Sequence, residues 1–141
     1  MIITLTPPQN ITSIDLGTSN PKLSGVIDIT GFTNLTTLIG DGNDITDFIL
    51  SDANDQLTDI RLNNNKLTGS IPDLSSNTAL TIIKVDNNSL SGSIPDLSSN
   101  TALTNFIAGQ NSLTGSIPSL SSNTALQHFV VTGNDLTGSI P

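Results

Sequence analysis

The 141-residue sequence has no cysteine, no glutamate, no tryptophan and no tyrosine. Without cysteine there can be no disulfide framework, no thiol nucleophile and no thiolate metal ligand. Every acidic side chain is an aspartate. A chain that avoids glutamate but uses Asp, Asn, Thr, Ser and Gly freely is suited to turns and strands rather than long helices. Charge of positive sign is also scarce. Lys22, Arg61, Lys66 and Lys84 are the only lysines and arginines, and the net charge is −8. So few cations cannot neutralise many phosphates, which argues against nucleic acid and against an anionic membrane surface as partners. No stretch approaches the ~20 apolar residues needed to cross a bilayer. The start, Met1 to Pro8, lacks the basic region and apolar run of a signal peptide.

Aromatic residues make up 3% of the chain and charged residues 11%. Such a composition borders on that of disordered chains. The aliphatic residues argue otherwise, because they recur at fixed positions. The phrase Leu67-Thr68-Gly69-Ser70-Ile71-Pro72 returns at Leu90–Pro95 (with Ser91 for Thr), Leu113–Pro118 and Leu136–Pro141, 23 residues apart each time. A phrase at fixed spacing marks a repeat architecture in which each coil stacks on the one before.

The clearest unit runs from Leu80 through Ile83, Val85, Asn88, Leu90, Gly92, Ile94 and Pro95, and reads LxxLxLxxNxLxGxIP. The same pattern occupies Leu57–Pro72, Leu103–Pro118 and Leu126–Pro141. It resembles the leucine-rich repeat of the plant-type subclass, units that also occur in bacterial and phage surface proteins. The resemblance implies a solenoid with a parallel β-sheet on the concave face and loops or short 3-10 turns on the convex face. Upstream the pattern loosens. Leu35, Leu38, Asn43 and Ile45 fit, but Gly40 stands where an aliphatic residue is expected and Asp47 stands in the glycine row. About six coils of 22–23 residues result, in a single domain over 1–141. Residues 1–10 are expected to cap the first coil, with Ile3 and Leu5 covering it and Pro7-Pro8 preventing helix, and residues 11–141 to carry the repeats, the last one truncated.

Elementary geometry assigns each position. Residues two apart on a strand share a face, so Ile83 and Val85 point inward and Lys84 outward. Asn43, Asn65, Asn88, Asn111 and Asn134 are expected to form a buried ladder that satisfies backbone groups of the neighbouring turn. Gly92 permits a turn conformation closed to other residues. Pro95 favours an extended return segment. Leu74, Leu97 and Leu120 are expected to be buried on the convex side.

The outward strand positions fall in three columns. The first is Ser13, Thr37, Asp59, Ile82, Asn105 and His128; the second is Asp15, Ile39, Arg61, Lys84, Ile107 and Val130; the third is Gly17, Asp41, Asn63, Asp86, Gly109 and Thr132. These positions vary while core and turn positions hardly change between the last coils. Bare aliphatics at Ile82, Ile107 and Val130 lie on a face that should be wet. Drift of solvated positions would also vary them. The expected function is non-catalytic recognition or adhesion, binding protein or glycan through Arg61, Ile82, Lys84, Asp86, Asn105, Ile107, His128, Val130 and Thr132. A cell surface, a secreted setting or a virion suits such a module. The alternatives are a structural or decoration element of a larger assembly, and ice binding through the hydroxyl rows Thr78, Thr101 and Thr124. Turn chemistry is the better explanation of those rows, because such residues bond their own backbone in loops.

Other constellations are weaker. His128, the only histidine, has no motif placing a nucleophile and an orienting acid beside it. No cofactor or metal is expected. Asp41, Asp44 and Asp47 make the one stretch resembling a calcium loop, but Ile45 occupies a ligand position and Asn43 belongs to the ladder. Asn10-Ile-Thr12, Asn34-Leu-Thr36 and Asn87-Asn-Ser89 match the glycosylation triplet, which chance explains in a chain this rich in Asn, Thr and Ser. The last coil leaves apolar residues and a strand edge uncovered, so self-association or further chain is expected there.

Overall fold

A computed structural model describes residues 2–3, 10–17 and 20–141. The described residues form twelve short strands: β1 (Ile2–Ile3), β2 (Ser13–Asp15), β3 (Ser24–Asp28), β4 (Thr37–Ile39), β5 (Asp44–Ile49), β6 (Asp59–Arg61), β7 (Ile82–Lys84), β8 (Ser91–Ser93), β9 (Asn105–Ile107), β10 (Ser112–Gly115), β11 (His128–Val130) and β12 (Asp135–Leu136). One strand from each of six coils enters a sheet of order β11-β9-β7-β6-β4-β2. All five pairings are parallel and in register, from Ile14↔Leu38 through Ile60↔Ile83 to Phe106↔Phe129. The coil count and strand positions are those the repeat spacing predicts. Among the described residues no segment is helical; the convex side turns through successive i→i+3 bonds such as Asn77 N–H to Leu74 O (3.0 Å) and Leu80 N–H to Asn77 O (3.2 Å). Leu5 and Pro7-Pro8 of the expected cap lie outside the described residues.

The flank after each asparagine holds a second tier of strands that the repeat pattern did not predict. Three strands order as β1-β3-β5 and three as β12-β10-β8, all parallel. Between them the chain at 66–69 still bonds to both neighbours, with Thr68 N–H to Thr46 O (3.1 Å) and Ser91 N–H to Gly69 O (2.7 Å). The Leu-x-Gly-x-Ile-Pro phrase is therefore both a core re-entry and a flanking ladder. Gly92 takes a φ of 75°, the left-handed conformation its position requires.

The core is a column of stacked aliphatics. Leu38, Leu57, Leu62, Leu67, Leu80, Val85, Leu97, Leu103 and Leu113 are fully buried. Phe106 stacks on Phe129 with centroids 5.3 Å apart. Leu74 and Leu97 are buried as expected, whereas Leu120 is half-buried in the last coil. Gly40 has a steric explanation. A Cβ there would stand 3.1 Å from Ile45 Cδ1 and 3.1 Å from Leu62 Cδ2, and 3.3 Å from Leu16 Cδ1, so its neighbours already fill the aliphatic site.

Asparagine ladders join the coils. Asn88 Nδ2 donates to Leu62 O (3.0 Å) in the preceding coil and to Val85 O (3.0 Å) in its own, while its Oδ1 accepts Leu67 N–H (2.9 Å). Asn43, Asn65, Asn111 and Asn134 repeat this arrangement. Only Asn43 of this set is fully buried, however. The more deeply buried ladder is a different one, on the convex side: Asn54, Asn77, Asn100 and Asn123. Asn100 Nδ2 donates to Leu74 O and Asn77 O, both at 3.0 Å, and Asn123 Nδ2 to Leu97 O (2.9 Å) and Asn100 O (3.0 Å). Threonine hydroxyls add a third ladder at the sheet entrance, from Thr104 to Thr81 O, Thr81 to Thr58 O, Thr58 to Thr36 O and Thr36 to Thr12 O, at 2.8–3.0 Å.

Asn100→Ala removes two buried hydrogen bonds, leaving Leu74 O and Asn77 O with only their backbone donors, Asn77 N–H and Leu80 N–H, and is expected to cost about 1–3 kcal/mol. Asn100→Asp is expected to cost more at neutral pH, because a carboxylate would face those same carbonyls. Burial then holds the introduced carboxyl's pKa above its unfolded value of about 3.9. The aspartate variant should therefore recover stability as pH falls toward that value, and the alanine variant should not. Urea unfolding at pH 7 and pH 4 checks both; equal pH dependence of the two variants would contradict the ladder's role.

Candidate binding face

The register places all three outward columns as the repeat geometry predicts. Ser13, Thr37, Asp59, Ile82, Asn105 and His128 are successive neighbours, and so are Asp15, Ile39, Arg61, Lys84, Ile107 and Val130. The third column follows through backbone bonds just beyond the strands, such as Asn64 N–H to Asp86 O (3.0 Å) and Gln110 N–H to Thr132 O (2.8 Å). From Asp41 onward, the residue after each third-column position turns into the left-handed region. Asn64, Asn87 and Gln110 have φ of 57°, 54° and 53° there, although none is glycine.

Side chains of the middle coils surround a hollow of about 380 Å³, lined by Asp41, Arg61, Asn63, Lys84, Asp86 and Ile107. Arg61 is held flat by Asp59. Its Nη2 donates to Asp59 Oδ2 at 2.7 Å and its Nε to Asp59 Oδ1 at 3.0 Å. Those bonds hold the guanidinium's pKa above its ordinary value, partial burial opposes them, and Asp59 and Asp41 reinforce them by charge. Lys84 sits beside Arg61 in the next strand without an ion pair to any described residue. The hollow thus has one cation already matched, a second that makes no ion pair with a described residue, and two carboxylates, Asp41 and Asp86, in the same lining.

Of the residues named from sequence, Arg61, Lys84, Asp86 and Ile107 meet in this hollow. Ile82, Asn105, His128, Val130 and Thr132 share the face but lie outside it. Asp59 and Asn63 were in the columns but were not singled out. The signal for Asp59 is its place two residues before Arg61, on the same face of the strand. His128 is exposed and makes no hydrogen bond to a hydroxyl or carboxylate among the described residues.

The other candidates are dispersed. Asp41 lines the hollow, Asp44 pairs with Lys66 at 2.9 Å, and Asp47 Oδ1 accepts the N–H of Phe48 at 2.8 Å. No group of three His, Cys, Asp or Glu suited to a metal occurs among the described residues. In the Ser-Ser-Asn-Thr segments the asparagines are buried, and Thr78, Thr101 and Thr124 are exposed. Their entry is set by turn chemistry. Asp73 Oδ1 accepts Ser75 N–H at 2.9 Å, which holds that carboxyl below its ordinary range.

The family model for the leucine-rich repeat matches residues 56–78, one full period of the solenoid. The chain is a leucine-rich repeat protein. Solved structures bear this out across its length. It is similar to the BIR3–SERK2 complex from Arabidopsis thaliana, at 36% identity over 64% of this chain and 52% of that one, with a TM-score of 0.60. A plant peptide hormone receptor, RGFR1 in complex with RGF2, is 35% identical over 94% of this chain and 22% of that one, with a TM-score of 0.80. The PEPR1–AtPEP1 structure is 29% identical over 92% and 19%, with a TM-score of 0.85. This leucine-rich repeat chain spans about half the length of the first and about a fifth of the other two. None of the curated proteins matches it. Among the described residues no helix is long and apolar enough to cross a membrane.

The Asp59–Arg61 pair is half in water, with side chains 15% and 38% exposed. Asp59→Asn is therefore expected to change stability by less than about 1 kcal/mol. Guanidinium unfolding of the variant checks this, and a large loss would mean that the pair holds the sheet together.

Proposed function

We propose that this protein is a non-catalytic recognition module that binds an extended peptide segment of a partner protein across the outward face of the six-stranded sheet. The observation that carries the reading is the unmatched Lys84 beside a run of aliphatics, Ile82, Ile107 and Val130, on a face whose other outward strand side chains, Ile39 excepted, are polar. A cation held next to apolar surface favours a ligand with a carboxylate and an aliphatic side chain a strand spacing away. Similarity to ectodomain structures solved with peptide hormones supports this choice over glycan on the same face. A secreted or surface setting follows from the reading.

Random linear peptides displayed on yeast test it. The wild-type protein is expected to enrich a family of sequences that Lys84→Glu and Val130→Asp each bind at least about tenfold more weakly. Both variants should keep the wild-type thermal melt, since both side chains point away from the core. Enriched peptides that bind the variants unchanged would overturn the reading.

A further inference from the structure

A second concavity lies on the flank where the chain enters the six-stranded sheet. It has a volume of about 430 Å³, within the range of small-ligand pockets, and among the described residues it is lined by Asn10, Thr12, Asn34, Thr36 and Gln56. These side chains come from three successive coils, one and three positions before β2 and β4, and three positions before β6. It shares no residue with the hollow around Lys84.

The lining is chemically uniform. Every described lining side chain is an amide or a hydroxyl, in a chain that carries twelve acidic residues. The repeat itself does not require this. In the later coils the position of Asn10, Asn34 and Gln56, one residue before the core-packing aliphatic Ile11, Leu35 or Leu57, is taken by Ala79, Ala102 and Ala125. The amide column is thus confined to the coils that form the pocket. Neighbouring bonds also set some of these groups in place. Thr36 Oγ1 donates to Thr12 O at 2.8 Å, which turns its lone pairs outward as acceptors. Gln56 Nε2 gives one hydrogen to Asp55 Oδ1 at 3.0 Å, which orients the amide.

We infer that this pocket is a subsite for a neutral oligosaccharide, separate from the peptide face. Amides and hydroxyls each donate and accept, which matches sugar hydroxyls, which do the same. The absence of any lysine or arginine from the lining disfavours sialic and uronic acids, whose carboxylates seek cationic partners. No Val, Leu, Ile, Met or Phe lines it among the described residues, so an apolar peptide anchor has nothing to pack on.

The test uses the full chain made in a bacterium that does not glycosylate Asn-x-Thr, with intact mass confirming that Asn10 and Asn34 are unmodified. The probes are neutral gluco-, xylo-, manno- and galacto-oligosaccharides, read on an array and then by saturation-transfer NMR. The wild-type protein is expected to bind at least one series. The triple variant Asn10→Ala, Asn34→Ala, Gln56→Ala, which installs the residue that later coils already carry, should bind it roughly tenfold more weakly. Lys84→Glu should bind it unchanged. Should the triple variant melt early, Gln56→Ala alone is read in the same assay, with a smaller loss expected. Binding to no neutral series, binding that the alanine variants retain, or binding that Lys84→Glu removes would overturn the proposal; loss of peptide capture alone would not touch it.

Discussion

Each coil of a solenoid this narrow turns sharply several times, and each turn leaves backbone N–H and C=O groups without a strand partner. Buried groups of that kind must be paired. Asparagine meets the need because its short amide carries two donors and an acceptor in one plane. Asn88 joins Leu62 O, Val85 O and Leu67 N–H, two of them in the preceding coil. On the opposite side Asn100 uses only its donors, to Leu74 O and Asn77 O, while its buried Oδ1 accepts no bond. With the threonine hydroxyls at the sheet entrance, three polar ladders run the length of the stack and hold the coils at strand spacing around the aliphatic column. Most rows that repeat are committed to these ladders, the flanking strands or the core, the exposed row Thr78, Thr101 and Thr124 being an exception.

Recognition surfaces can vary because that framework does not. The strand side chains that point outward contribute nothing to the ladders, so their chemistry is free to change from coil to coil. The second column passes from Asp15 through Arg61 and Lys84 to Ile107 and Val130 within six strands. The flank before the strands shows the same freedom on a smaller scale, where Asn10, Asn34 and Gln56 give way to alanine. Departures from the repeat, rather than the repeat, are where both proposed ligand sites fall.

Much of the fold was legible in the residues. The 23-residue spacing set the coil count, and alternation along Ile83-Lys84-Val85 set which side chains face out, because strand geometry has a period of two. The first asparagine ladder was legible for the same reason: one residue type recurs at one turn. The second was hidden inside Ser-Ser-Asn-Thr. Four small polar residues in a row read as an ordinary surface turn, and burial of Asn77, Asn100 and Asn123 depends on the preceding coil lying beneath them. The flanking strands were hidden because Leu-Thr-Gly-Ser-Ile-Pro has weak strand propensity, and its pairing comes from stacking.

The sequence by itself determined the solenoid, its six coils and the three outward columns, since these follow from spacing and from the fixed directions of side chains on a strand. Tertiary structure alone decided which column residues act together. Whether Arg61 is matched and Lys84 is not depends on a side-chain pairing with Asp59 across one strand, and Asp41, Asp44 and Asp47, close in sequence, part to three different surroundings. It also decided that the amides at 10, 34 and 56 share one pocket. Residues more than twenty apart in the chain become neighbours only when the coils stack; the repeat spacing gives the row they share, and the stacking gives the open space between them.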